Sequence, residues 1–94
     1  MPVQVHLTRM LVRHLDIEPD LSANAESLGG LLEELERRCQ GFSDSICDET
    51  GRIRTYVNIF VNGEKVDQDA DVHSVALSDR DEVYILASVA GGIV

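Results

Sequence analysis

A pair of consecutive glycines near the end of the sequence is the segment whose residue types most clearly permit chemistry. The segment reads Val89-Ala90-Gly91-Gly92-Ile93-Val94. A glycine pair has no Cβ atoms and adopts backbone conformations that other residues avoid. Such a segment can thread a narrow active-site channel in which any Cβ would clash. Glycine pairs also occur in ordinary frayed termini, so this feature alone does not establish a function.

Acidic residues alternate in the segment Asp67-Gln68-Asp69-Ala70-Asp71. Calcium loops place carboxylates at this spacing, because the hard Ca²⁺ ion needs several oxygen ligands. Here Val72 stands where such a loop needs glycine, and Ser78 stands where a bidentate Glu closes the ligand shell. We therefore expect a solvated acidic loop and no metal site.

The histidines and cysteines lack the spacing of known metal or catalytic motifs. His6, His14 and His73 are far apart, and none belongs to a His-x-x-x-His pair, so we expect surface or half-buried side chains. Cys39 and Cys47 have no local signature of a nucleophile. The sequence predicts Cys39 in the core and Cys47 as an unreactive loop thiol, both free, with no catalytic residue.

The composition indicates one small acidic domain. The 94 residues include 8 Lys and Arg against 17 Asp and Glu, a formal net charge of −9, and 44% are hydrophobic. Without a basic stripe to neutralise phosphates, nucleic acids and anionic membranes are not expected as partners. A basic protein surface is the expected partner. The longest apolar runs, such as residues 83–87, are far shorter than the roughly 20 residues of a membrane span, and the first residues do not resemble a targeting segment, so we expect a cytoplasmic protein.

The first half of the chain contains two predicted strands and the main helix. Residues 3–8 alternate between apolar and polar side chains, which predicts a strand with one buried face. Residues 21–23 are the expected second strand of a hairpin. Ser27 is the expected N-cap of the helix and Gly41 its expected stop. The apolar face of the helix is formed by Leu28, Leu31, Leu32, Leu35 and Cys39.

The opposite face of this helix carries two predicted ion pairs. Glu33 with Arg37 and Glu34 with Arg38 have the favourable i,i+4 spacing of solvated supports. The first turns contain Gly29-Gly30, which lowers helix propensity by about 1 kcal/mol per glycine. The sequence gives no reason for this glycine pair.

The second half contains the remaining strands. Residues 53–61 are rich in β-branched and aromatic side chains and end at Asn62-Gly63, which predicts a hairpin with a short partner at residues 65–66. Residues 77–82 form a predicted turn into the last strand, residues 83–89. The order β-β-α-β-(β)-β is that of an α+β domain.

One mixed sheet of four to five strands over one main helix is the economical packing, because each element has one apolar face to bury. This arrangement is the β-grasp, or ubiquitin-like, fold. Its first and last strands lie side by side at the centre of the sheet. We expect a single domain over residues 1–89 and a flexible tail over residues 90–94.

Four motifs resemble the ubiquitin-like sulfur-carrier family of the molybdopterin synthase small subunit and the thiamine sulfur carrier. The resemblance covers nearly the whole chain. The motifs are Ser27-Leu28-x-x-Leu31-Leu32-x-x-Leu35-Glu36-x-Arg38 with Gly41, then Tyr56-Val57-Asn58-Ile59-Phe60-Val61-Asn62-Gly63, Leu77-x-Asp79-x-Asp81-Glu82-Val83 and Val89-Ala90-Gly91-Gly92. The second and fourth look most like the branch that includes carriers for cysteine biosynthesis.

The resemblance implies that Gly92 is the reactive residue, through its α-carboxylate. An E1-like adenylating enzyme, using ATP and Mg²⁺, would convert this carboxylate to an acyl-adenylate. A sulfur donor, either a cysteine desulfurase or a rhodanese-like protein, would then displace AMP and leave a thiocarboxylate for a downstream sulfur-accepting enzyme. The carrier itself would bind no cofactor and catalyse nothing. Ala90, Gly91 and Gly92 would thread the partner's channel, and an apolar sheet patch including Phe60 would dock against it.

Two departures from the family pattern affect this interpretation. Most such carriers end at the second glycine, whereas Ile93 and Val94 follow it here, so the Gly92 carboxyl group is part of a peptide bond. Resemblance to carriers with similar extensions implies that a JAMM-type zinc metalloprotease, of the deubiquitinase-like class, removes these two residues. The second departure is Arg80, which stands in a turn where the family commonly has glycine.

Two other functions remain open on the sequence. A ubiquitin-like protein modifier would be joined through Gly92 to lysines of other proteins. Lys65 is the single lysine of the chain, which would limit chain building. The third possibility is an interaction domain with an inert tail.

Overall fold

Five strands form one mixed sheet in the computed structural model, which describes residues 2–87. The predicted tail and the domain boundary at residue 89 lie outside the described residues. The elements in chain order are β1 (Val3–Leu7), α1 (Arg9–Leu15), β2 (Asp20–Ala23), α2 (Leu28–Arg38), α3 (Phe42–Ile46), β3 (Val57–Val61), β4 (Glu64–Lys65) and β5 (Glu82–Ala87), with a 3₁₀ turn at Val72–Ser74 before β5. The strands lie in the order β2-β1-β5-β3-β4.

The central pair of the sheet consists of β1 and β5, which run parallel. Their register places Val5 beside Val83 and Leu7 beside Ile85, and all four side chains are buried. Strands β2 and β3 pair antiparallel with β1 and β5 respectively. The apolar alternation therefore buries one face of the sheet. The predicted β-grasp fold is confirmed, including the first and last strands side by side at its centre.

Helix α2 supplies the other half of the core. Ser27 is its N-cap, and the Ser27 hydroxyl oxygen accepts a hydrogen bond from the Gly30 amide at 3.0 Å. The four predicted leucines of the apolar face are buried and join the strand residues in one hydrophobic core. Burial of each such side chain contributes roughly 1.5–3 kcal/mol. Cys39 differs from the prediction, because it lies half-buried at the edge of this core.

Helix α2 ends at Arg38, so Gly41 is not its stop. Cys39 is already extended, and Gly41, with φ of +95°, is the N-cap of α3. The Glu36 carboxylate accepts hydrogen bonds from the amides of Gly41 at 3.0 Å and Ser43 at 2.9 Å. These bonds fold the turn back against α2, and the glycine serves the start of the next helix.

Two short helices, α1 and α3, were not predicted. Helix α1 interrupts the expected hairpin between β1 and β2, and α3 follows α2 directly. In α1 only Leu11 is buried, and the helix ends at Asp16, which has φ of +55°. A helix with one buried residue leaves little periodicity in the sequence. None of the helices within residues 2–87 has the length and apolarity of a membrane span.

Strand β3 begins at Val57, later than the predicted start at residue 53. Ile53 forms an isolated bridge with Cys47. Between them and the strand, the Val57 amide donates to the Arg54 carbonyl at 2.9 Å. This turn breaks the extended conformation that the β-branched residues favour.

The turns around the last two strands hold residues in the left-handed region. Asn62 and Gly63 have φ of +52° and +89°, as a two-residue hairpin requires. The short partner strand β4 follows directly. Arg80 has φ of +70°, in the left-handed region that favours glycine and that costs energy for an L-residue. Strand β5 matches the predicted last strand as far as Ala87, where the description ends.

One predicted ion pair of α2 is absent. Glu34 pairs with Arg38, at 3.1 Å between Oε2 and Nε, and also with Arg37. Glu33 lies instead 3.9 Å from Nε2 of His73. His73, in the 3₁₀ turn packed beside α2, therefore lies near the Glu33 carboxylate that was expected to pair with Arg37.

The packing of this 3₁₀ turn explains the glycine pair of α2. A Cβ on Gly29 would lie 2.2 Å from Nδ1 and 2.6 Å from Cγ of His73, whereas a Cβ on Gly30 would meet only the Ser27 hydroxyl, at 3.3 Å. Gly29 is buried, and the His73 ring occupies the space that a side chain would need. Gly29 thus permits a close approach of the turn to the helix.

We expect Gly29→Ala to destabilise the fold by about 1–2 kcal/mol, because overpacking outweighs the gain in helix propensity. Urea unfolding measures this change. Gly30→Ala is the matched control and should be neutral or stabilising. His73→Ala should restore most of the stability lost in Gly29→Ala, and additive effects of these two substitutions would contradict the explanation.

Candidate functional site

A row of side chains crosses all five strands on the outer face of the sheet, opposite the core. The register places Lys65 beside Phe60, Phe60 beside Tyr84, Tyr84 beside His6, and His6 beside Asp20. Successive strand side chains point to opposite faces, and the neighbours of these residues along each central strand are the buried ones. We call Lys65, Phe60, Tyr84, His6 and Asp20 the outer row.

The centre of the outer row is aromatic. Tyr84 is 41% exposed, the one exposed large hydrophobic side chain among residues 2–87. Phe60 beside it is half-buried, as is Leu86 further along β5, and none of the three belongs to the core. The sequence alone did not distinguish Phe60 from a core residue, and the structure locates it on the outer face. Its role in docking stays a prediction.

His6 connects three strands at the acidic end of the outer row. Its Nδ1 lies 2.7 Å from Oδ1 of Asp20 on β2, and its Nε2 lies 3.1 Å from Oε1 of Glu82 on β5. The imidazole ring stacks on Tyr84, with 4.5 Å between ring centroids and 23° between planes. His6 is therefore a half-buried histidine, as expected, but one held by two carboxylates.

The two carboxylates favour the charged form of His6. A carboxylate only accepts hydrogen bonds, and an imidazole donates from both nitrogens only when it is protonated. The hydrogen bond that His6 donates to Asp20 is the main cause that raises the pKa of His6 above its usual 6.5. Burial opposes this rise, and Glu82 adds to it. The acidic end thus holds a histidine between two exposed carboxylates that stabilise its protonated form.

Sequence reasoning missed the role of Tyr84, His6, Asp20 and Glu82. The alternating pattern of β1 already placed His6 at an outward position, whereas the apolar run of residues 83–87 did not distinguish Tyr84 from its buried neighbours. The four residues are brought together by the register between strands from opposite ends of the chain. The pattern of a single strand does not contain this register.

Strand β5 ends at Ala87, beside α1. The Ala87 amide donates a hydrogen bond to the Thr8 hydroxyl at 3.2 Å, and the Thr8 amide donates to the Ile85 carbonyl at 3.3 Å. Ala87 also lines an apolar recess of about 280 Å³ with Met10, Leu11, His14, Ser45 and Tyr56. The predicted site residues Ala90, Gly91, Gly92, Ile93 and Val94 lie outside the described residues.

Neither cysteine is placed for catalysis in the described part of the chain. The Cys39 thiol donates to the Leu15 carbonyl at 3.0 Å. Burial is the main cause that raises the pKa of the Cys47 thiol, and the nearby Asp48 adds to it, which disfavours the nucleophilic thiolate. Both thiols are free.

The acidic segment binds its own backbone. The Asp67 carboxylate accepts from the Asp69 amide at 2.9 Å, and Asp71 caps the 3₁₀ turn through the His73 amide at 3.0 Å. Within residues 2–87, no group of three or more His, Cys, Asp or Glu side chains is arranged to hold a metal ion.

Comparisons with known proteins agree with this architecture. The model of the ThiS family matches residues 11–92. The sulfur carrier protein CysO of Mycobacterium tuberculosis is 34% identical over 94 residues, which cover 98% of this chain and 100% of that protein. Its crystal structure superposes with a TM-score of 0.79 and 31% identity, over 92% of this chain and 98% of that chain.

Two further solved structures have the same fold. A chain of the BexX/CysO complex of Amycolatopsis orientalis matches with a TM-score of 0.80 and 26% identity, over 96% of this chain and 99% of that one. The small archaeal modifier protein 1 of Methanosarcina acetivorans matches with a TM-score of 0.74 and 26% identity, over 97% and 96%. With a family match over most of its length and a full-length relative at 34% identity, the chain belongs to the ThiS family of ubiquitin-like sulfur carriers.

Proposed function

We propose that this carrier holds sulfur as a thiocarboxylate on Gly92, formed after Ile93 and Val94 are removed. The observation that carries the proposal is the family match, which covers residues 11–92 and so ends at Gly92. Ile93 and Val94 lie beyond the matched residues. The chain acts as a carrier and not as a catalytic enzyme, in keeping with its family.

The proposed chemistry proceeds in three steps. A JAMM-type zinc metalloprotease hydrolyses the bond between Gly92 and Ile93 and frees the carboxylate. An E1-like enzyme then joins a carboxylate oxygen to the α-phosphate of Mg²⁺-bound ATP and releases pyrophosphate. This activation is needed because a carboxylate is a poor electrophile, whereas AMP is a good leaving group. In the third step the terminal sulfur of a persulfide on the desulfurase or rhodanese-like donor attacks the Gly92 carbonyl carbon, and AMP departs. A second thiol then cleaves the sulfur–sulfur bond of this acyl disulfide, which leaves the thiocarboxylate on Gly92 and a disulfide on the donor.

The fold and the tail divide the work in this proposal. The glycine pair makes the tail narrow enough for the active-site channel of the partner, because these residues have no Cβ. The outer row supplies the docking surface, with Phe60 and Tyr84 as its apolar centre. The solved complex of an Amycolatopsis orientalis CysO with BexX supports the view that carriers of this kind bind partner proteins. The similarity to CysO favours a downstream acceptor in cysteine biosynthesis.

A protein modifier is the second candidate function. It is favoured by the 26% identity to the small archaeal modifier protein 1 of Methanosarcina acetivorans. In that case Gly92 would form isopeptide bonds with lysines of other proteins. The chain's own Lys65 donates a hydrogen bond to Gln68 at 3.0 Å and is exposed, so it offers one site for chain extension.

We expect the protein recovered from its native cells to lack Ile93 and Val94 and to contain sulfur in place of one carboxyl oxygen at Gly92. Intact-protein mass spectrometry measures both changes. Deletion of residues 93 and 94 should remove the need for the protease. A full-length mass under every growth condition would contradict the proposal, and isopeptide conjugates would favour the modifier.

Gly92→Ala should lower the rate of adenylation of the shortened protein at least tenfold, a loss of about 1.4 kcal/mol in transition-state stabilisation. Its cause is the added Cβ in the channel. Pyrophosphate exchange with the adenylating enzyme is the measurement. Gly30→Ala, which adds the same methyl group on α2, is the matched control, and equal rates for the two variants would contradict the threading argument.

Tyr84→Thr and Phe60→Thr should each raise the KM of the adenylating enzyme for the carrier about 5- to 30-fold, because buried aromatic residues are typical interface hot spots worth 1–2 kcal/mol or more. Threonine retains strand propensity. His14→Thr on α1 removes an exposed ring elsewhere and serves as control. An unchanged KM with normal folding would exclude the aromatic centre as the docking surface.

A further inference from the structure

We propose that the acidic end of the outer row is a binding site for an arginine side chain of the partner enzyme, which takes the place of His6 between Asp20 and Glu82. This inference rests on the proposed function, because the partner is the adenylating enzyme that acts on Gly92. The contact is a pairing of a guanidinium with two carboxylates, and it is accompanied by release of a proton from His6.

The carboxylates are accessible to a second cation. The side chains of Asp20 and Glu82 are 74% and 52% exposed, whereas His6 between them is 29% exposed. Each carboxylate has two oxygens, and His6 engages one of each at 2.7 and 3.1 Å. The remaining lone pairs therefore face solvent on either side of a planar cationic ring.

The site matches a guanidinium group in shape as well as in charge. His6 shows what the slot accepts, which is a planar cation stacked on the Tyr84 ring with donors in its plane. A guanidinium is planar, presents five donors, pairs with carboxylates and stacks on aromatic faces. Lysine offers a point charge without a plane. The chain's net charge of −9 attracts basic surfaces from a distance.

Binding of arginine should release a proton from His6. The titratable groups that face its ring, in the part of the chain that the structure describes, are Asp20 on β2 and Glu82 and Tyr84 on β5. Once the guanidinium occupies both carboxylates, His6 loses the partners that favour its charged form. At low pH the partner's arginine therefore replaces the protonated His6 ring between the carboxylates, and this exchange of one cation for another brings little electrostatic gain. At higher pH His6 is neutral and the carboxylates are free to bind arginine.

The test is the KM of the adenylating enzyme for the carrier shortened after Gly92, measured by pyrophosphate exchange from pH 6 to 9. Wild type, His6→Gln and the control His14→Gln are compared at each pH, so that titration of the enzyme itself cancels in the ratio. As the pH falls below the pKa of His6, the wild-type KM should rise relative to the KM of His6→Gln. The rise should be at most tenfold per pH unit, which is the limit for one linked proton. The two should converge above this pKa, with kcat unchanged.

The carboxylates provide a second readout. Asp20→Asn and Glu82→Gln should each raise KM at least fivefold above the pKa of His6, where the carboxylates are free to bind arginine. A constant ratio of wild type to His6→Gln, or an unchanged KM in both carboxylate variants, would overturn the inference while leaving the sulfur-carrier proposal intact. Complete failure of the enzyme to adenylate the shortened carrier would overturn both.

The unfolding of the carrier alone separates this role from a purely structural one. Because the pKa of His6 is raised by folding, its contribution to stability is fully present below pH 6.5 and is lost as pH rises through the raised pKa. His6→Gln should therefore have a lower Tm than wild type at pH 5.5 and the same Tm at high pH, whereas His14→Gln should match wild type throughout. A structural clamp alone would change Tm and leave the KM ratio constant, which would overturn the proposal.

Discussion

The parallel pairing of β1 with β5 is the constraint on which the rest of the structure depends. It joins the two ends of the domain at the centre of the sheet, with Val5 beside Val83 and Leu7 beside Ile85 in the core. Because side chains alternate along a strand, the same register that aligns these pairs inside also aligns His6 with Tyr84 outside. A slip of one residue would expose the core and disperse the outer row together. The outer row is thus specified by the pairing that stabilises the fold.

The sequence predicted those elements whose patterns are long or chemically distinctive. The strand β1 follows from its alternation, α2 from Ser27 and four leucines, and the β3–β4 hairpin from Asn62-Gly63. Elements fixed by only a few tertiary contacts were not predictable. Helix α1 buries one side chain, and the glycine that was expected to stop α2 instead caps α3. The local sequence pattern predicts where a helix or strand lies. The contacts with neighbouring elements determine at which residue it ends.

The same limit applies to the site. Phe60 was identified from the sequence as a residue that could dock a partner, but its neighbours Tyr84 and Lys65 follow only from strand register. The glycine pair of α2 had no sequence explanation, because its reason is the ring of His73 on a distant turn. Glu33 was expected to pair with Arg37 because the sequence did not show that His73 would lie beside it. In the structure the Glu33 carboxylate lies 3.9 Å from Nε2 of His73. Contacts between residues far apart in the chain require the fold before they can be named.

The division between a slim tail and a patterned face has a consequence for specificity. Every carrier whose reactive glycine must thread an active site presents nearly the same atoms there, so the tail alone distinguishes partners poorly. The outer row can differ with less constraint than the core residues, because its side chains lie outside the core. In this chain the row carries an aromatic centre and, at one end, a histidine between two carboxylates. Electrostatic complementarity of such groups selects partners and raises association rates more than it raises affinity. Specificity can therefore reside in a few outward residues of the central strands, while the fold and the reactive glycine stay the same.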